Sequence, residues 1–221
     1  MLDKEKIAYD KIPGIVGSVI LTCAVNNIKV RLSPNKTIDY MEVPNTPVGG
    51  YFEGNKNKPG QAEFGCAVGT KLKTWIQVFL HESCHMDQYL EDSQVWLDTI
   101  TSDDEYTSTP FFEWLAGYDI EPKYDVNHLA KTLCAVEFDC EKRTVQKIID
   151  YGLSDIIDVT KYIQQANAYA YSYLYLPEIR RWWETGKEPY RNKLIWSKAP
   201  MTLGDQTVIP PELLTAFKEH L

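Results

Sequence analysis

The sequence predicts an α+β fold with its sheet before its helices, and three observations carry that reading. Residues 28–33, IKVRLS, alternate apolar and polar as a half-buried strand does. GGYFE and AEFGCAV flank GNKNKPGQ, whose Gly, Asn and Pro content reads as a hairpin connection. From Thr70 onward the apolar spacing changes from two to three and four, the period of a helix with one buried face.

Taken in order, IPGIVGSVILTCAV (12–25) is expected to be a buried core segment. It is too short to span a bilayer and contains Pro13 and Gly14. The residues before it mix Asp3, Glu5 and Asp10 with Lys4, Lys6 and Lys11, unlike the basic start of a secretion signal. After IKVRLS, Ser33-Pro34-Asn35 supplies a turn and TIDYM (37–41) a second strand. Residues 1–70 therefore predict a small, mainly antiparallel sheet, with AEFGCAV near an edge.

KLKTWIQVFLHESCHMDQYLE places Leu72, Trp75, Ile76, Phe79 and Leu80 at helical spacing, so this helix is expected to pack beneath the sheet. HLAKTLCAVEFDCEKRTVQKIIDYG predicts a second long helix that stops at Gly152. Ser154 or Asp155 is the expected cap of a third, running through KYIQQANAYAYSYLYL to a break at Pro177. A short helix is expected to reach Gly186, and PPELLTAFKEHL reads as a terminal one. At 221 residues one domain spanning 1–221 is expected, mainly helical over 71–221.

A composition of 44% apolar and 24% charged residues is that of a soluble globular chain. The net charge of -8 argues against nucleic acid as a partner, because phosphate binding needs an excess of Lys and Arg. No membrane association is expected. Residues 91–127 carry ten acids against one base, Lys123, and read as a solvated acidic insertion, or as a rim that draws a basic protein or peptide. The five cysteines form no CxxC pair, which suggests reduced, buried thiols in a cytoplasmic setting.

The chemistry-bearing stretch is FLHESCHMDQ (79–88). Residues i and i+4 of a helix share a face, so His81 and His85 can direct two imidazoles at one ion. Glu82 is rotated about 100° from His81, where a general base stands to take a proton from water. A hydrolytic zinc site needs a third protein ligand and one open position. The other histidines, His128 and His220, repeat no such pattern, whereas AVEFDCEKR (135–143) offers Glu137 and Glu141 on one helix face in apolar surroundings. Two inward-facing acids are costly unless a cation meets them, and a single Zn2+ would do so.

HExxH followed by a helical glutamate resembles the gluzincin branch of the zincin metallopeptidases, and EFDCEKR is similar to the E-x-E-A-D-R pattern of several of its families. The resemblance implies a zincin-like fold, Glu137 as third ligand and Glu141 as a supporting acid outside the ligand set. Glu141 departs from the family's Asp. AEFGCAVGT, FLHESCHMDQ and EFDCEKRTV together also resemble metallopeptidases encoded by tailed bacteriophages, over about residues 48–175. That likeness implies a host-cytoplasmic location. Zincins pair an extended substrate with an edge strand above the metal, a role the resemblance assigns to residues 61–68.

Cys84, beside the histidines, is expected to pack in the core. Tyr169 and Tyr173 share a helix face, and either could reach the site as an oxyanion or substrate contact. RRWWETGKEPYRNK reads as a hinge or protein-contact surface. The function expected is zinc-dependent peptide-bond hydrolysis with Glu82 as base; the alternative is a catalytically silent, zinc-stabilised binding factor, virus-encoded and acting on a host protein.

Overall fold

Ala8, Ile12, Ile15, Val19 and Cys23 recur at spacings of three and four and form the buried face of the first element, α1 (Leu2–Val25). The chain therefore opens with a helix, which corrects the expectation of sheet across residues 1–70. The structure is a computed structural model and describes residues 2–40, 47–58, 60–101, 106–121, 123–184, 186–204 and 208–220. By length and composition, Lys4–Val25 is long and apolar enough to cross a bilayer. The chain is α+β, with a small mixed sheet and a majority of helix.

Among the described residues five short strands come after α1: β1 (Lys29–Ser33), β2 (Ile38–Asp39), β3 (Pro47–Val48), β4 (Gly50–Glu53) and β5 (Glu63–Ala67). Met41, the end of the second expected strand, lies outside the described residues. β2 and β3 form an antiparallel pair. The larger sheet has the order β1-β5-β4, with β1 parallel and β4 antiparallel to β5. GNKNKPGQ is thus the hairpin connection expected, but two expectations are corrected. The sheet is mixed, because β1 runs parallel to β5 and β4 antiparallel to it. β5 is central, with every residue buried, so it offers no free edge.

Seven helices complete the described chain: α2 (Leu72–Leu90), α3 (Gln94–Leu97), α4 (Ser108–Leu115), α5 (Val126–Asp150), α6 (Val159–Ile179), α7 (Lys193–Trp196) and α8 (Pro211–His220). α5 stops where Gly152 takes a left-handed φ of 66° and Leu153 N–H returns to Ile148 O. α6 begins after Asp158, so neither Ser154 nor Asp155 caps it, and it runs through Pro177 to Ile179. No helix covers the described residues 180–184; Arg180 turns left-handed at φ 46° and ends α6 instead. The acidic 91–127 segment is not simply a solvated loop. Trp96, Phe111 and Leu115 on α3 and α4 are buried, so these aromatic and aliphatic anchors fold it (residues 102–105 and 122 lie outside the described set).

The chain divides into two compact units, Met1–Ser93 with Arg143–Asp158, and Gln94–Lys142 with Val159–Leu221. In the first, α2 packs on the sheet through Phe79 against Phe64, ring centroids 5.1 Å apart, and Met86 meets Cys23 of α1. In the second, Phe111, Leu133, Tyr171, Leu176, Ile195 and Phe217 belong to one hydrophobic cluster.

Candidate metal centre

In the first unit the apolar residues Ile76, Phe79 and Leu80 are fully buried, and this sets the rotation of α2. His81 and His85 share a face one turn apart, with ring centroids 4.8 Å apart at an interplanar angle of 88°. His85 Nδ1 stands 2.8 Å from the amide oxygen of Gln88, which is fully buried one turn further on. An amide oxygen only accepts, so in this bond Nδ1 carries the proton and Nε2 is the ring nitrogen of the kind that can bind a metal.

Glu82 is buried beside them. A Cβ on Gly50 would stand 2.9 Å from Glu82 Cγ and 2.8 Å from Val78 Cγ1, so the backbone of β4 passes directly over the glutamate because residue 50 has no side chain. Glu82 is felt at Cys66 too, whose thiol is pushed up to about 12 by burial first and by that charge second. Cys84 is fully buried, as expected of a core thiol.

The other flank of α2 is held by Lys147 of α5. Its Nζ lies 2.8 Å from Ser83 Oγ and 2.7 Å from Asp87 Oδ2, on two residues one turn apart. Burial alone would lower the ammonium's pKa; the charges of Cys84 and Asp87 and the hydrogen bond to Asp87 outweigh it and leave it raised. Arg143, one turn before Lys147, pairs with Glu91 at 2.7 Å.

The second unit holds the other residues singled out by the sequence. Glu137 and Glu141 are buried on the Val126–Lys142 part of α5, and two phenols of α6 serve them. Tyr162 Oη donates to Glu141 Oε2 at 2.6 Å, and Tyr169 Oη donates to Glu137 Oε1 at 3.2 Å. Because Tyr169 gives its one proton to Glu137, Tyr173 donates to Tyr169 across the 3.0 Å between their oxygens. Burial, then the charge of Glu137, holds the Tyr169 phenol well above its ordinary value, so it stays a neutral donor. The family resemblance implies Glu141 against a ligand histidine's second nitrogen or a backbone amide. Tyr162 is one partner of Glu141, and Gln88 is the partner of His85 Nδ1.

No protein-family model, curated protein or solved structure matches the chain. The chemistry open to the site therefore follows from its own donors. Among the described residues, the donors that could serve a metal ion are His81 and His85 in the first unit and Cys140 in the second. Cys140 was missed as a donor by sequence reasoning, which read it as a core thiol. The signal was its place between Glu137 and Glu141 on one helix. A cavity of about 350 Å³ in the second unit, lined by Glu113, Asp119, Glu121 and Tyr124 among others, includes none of these donors.

Proposed function

We propose that the chain is a zinc-dependent metallopeptidase of the gluzincin type. The observation that carries the reading is the histidine pair on one face of α2, with Gln88 holding the Nδ1 side of His85 so that Nε2 is the nitrogen suited to a metal. His81, His85 and Glu137 would hold the ion, whose chemistry when bound is to polarise a peptide carbonyl and make a water more acidic. Glu82 takes the proton from the attacking water and hands it to the leaving amine. Tyr169, a neutral phenol, would have to exchange its bond to Glu137 for one to a developing oxyanion in order to stabilise it. With β5 central, the strand that an extended peptide would pair with is β4, an edge of the three-stranded sheet with Gly50 against Glu82. The substrate is a protein or peptide. All five cysteines are buried and in no disulfide, as a cytoplasmic setting allows, and the likeness to phage-encoded peptidases belongs to the same reading.

Elemental analysis and a broad peptide-library digest test it. Wild type should carry about one zinc and cleave; Glu82→Gln should keep the zinc and lose turnover. Unchanged turnover in that variant removes Glu82 from its role.

A second reading rests on Cys140. A thiolate joining two imidazoles and a carboxylate would complete a tetrahedral set and leave no open position, as in structural zinc sites. The chain would then be a metal-stabilised binding factor.

A further inference from the structure

The end of α6 is built in a way the metal centre alone does not require. Arg180 closes the helix at φ 46°, a left-handed conformation usually taken there by glycine, with its N–H on Leu176 O at 2.8 Å. Its guanidinium lies 5.0 Å from the centroid of the Trp114 ring and donates to the carbonyls of Trp114 and Tyr118 at 3.3 and 3.4 Å. Strain held in place by a charged side chain sets the direction in which residues 181–183 leave the helix.

The two tryptophans there diverge. Trp183 is buried and stacks parallel to Tyr175 at 6.4 Å. Trp182 keeps 42% of its surface exposed, edge-to-face with Phe112 of α4, itself 39% exposed, at 5.3 Å. Exposing two large rings side by side forfeits burial that a purely structural surface would recover. The pair is not isolated. Trp182 meets the Tyr173 ring at 6.1 Å, Tyr173 bonds Tyr169, and Tyr169 bonds Glu137, so one unbroken wall leads from the surface aromatics to the carboxylate.

We propose that Trp182, backed by Phe112, is a specificity-determining residue that receives an aromatic or large aliphatic side chain of the substrate polypeptide. The proposal rests on the metallopeptidase reading, since it takes Glu137 as the reacting end of the wall. A flat, exposed indole with a second ring at right angles offers both the offset-stacked and the edge-to-face contacts that such a side chain prefers.

Two measurements separate this proposal from that reading. Peptides identical except for Phe, Leu or Ala at one position are titrated calorimetrically into zinc-loaded Glu82→Gln protein, and digested by zinc-loaded wild type. The Phe and Leu peptides should bind at least tenfold tighter than the Ala peptide. Trp182→Ala in the Glu82→Gln background should erase that difference without changing zinc content or the affinity for the Ala peptide, and Trp182→Phe should restore most of it. Equal affinity for all three peptides in the Trp182-bearing protein overturns the wall, as does a Trp182→Ala variant that weakens all three alike. Selective binding without hydrolysis by wild type supports the wall and overturns the peptidase.

Discussion

Gln88 holds the Nδ1 side of His85 at 2.8 Å from within the same helix, one turn beyond the histidine it orients. Part of the donor geometry of α2 is thus prepared within α2 itself. Gln88→Ala should lower zinc affinity roughly 10–100-fold, the usual effect of losing such a partner. Gln88→Glu should keep or raise it, because a carboxylate accepts the same hydrogen bond. Competition with a chromogenic chelator reads both values; undiminished affinity in Gln88→Ala would remove the role.

Gly50 tests the approach of β4 to the proposed base. Gly50→Ala adds a methyl less than 3 Å from Val78 and Glu82. The overpacking should destabilise the chain by about 1–3 kcal/mol and displace the Glu82 carboxylate. Zinc content should hold while kcat falls; parallel elemental analysis and kinetics separate the two, and unchanged kcat counts against Glu82 acting beside that strand.

Lys147→Met leaves Asp87 without its ammonium and Ser83 without a donor. Because both ends of the pair keep some solvent contact, the loss should be about 2–3 kcal/mol, below that of a fully buried pair. The raised pKa of Lys147 fixes the sign of the pH dependence. A group with a higher folded than unfolded pKa stabilises fully below the unfolded value and loses that contribution as pH rises through the folded one. The stability gap between wild type and Lys147→Met should therefore be constant near neutral pH and narrow above about 10.5. Urea unfolding across that range measures it, and a gap that widens there refutes the assignment.

Three variants on α5 rank the remaining donors. With Glu137 as the third ligand, Glu137→Ala should lose the metal, Glu141→Ala should weaken it roughly 10–100-fold, and Cys140→Ser should keep both metal and turnover. Loss of metal in Cys140→Ser with retention in Glu137→Ala would transfer the ligand role to the thiol and favour the binding-factor reading. Tyr162→Phe provides the matching stability check: a buried Glu141 deprived of its phenol should cost about 1–3 kcal/mol.

Much of the site is legible in local spacing. The buried residues of α2 keep an amphipathic period, and the i, i+4 pairs His81–His85 and Glu137–Glu141 come from the 3.6-residue turn, so helix, shared face and donor types were all readable. The α1 period was equally present in Ala8, Ile12, Ile15, Val19 and Cys23, but Pro13 and two glycines obscured it. Charge misled at 91–127, because ten acids outweigh by count the few aromatics that decide burial.

By itself the sequence determined which residue types could bind a metal and which helix faces carry them, because covalent spacing along a helix leaves little freedom. Tertiary structure decided the rest. β5 lies in the middle of its sheet because strand order depends on pairing across the chain, which no local pattern records. Tyr162 meets Glu141 because α6 packs against α5 at one register among several that its tyrosine-rich face allowed. Trp182 faces solvent while Trp183 is buried because Arg180 is held left-handed by Trp114 and Tyr118, residues more than sixty positions away. Spacing fixes what one element presents; only packing between elements chooses its partner.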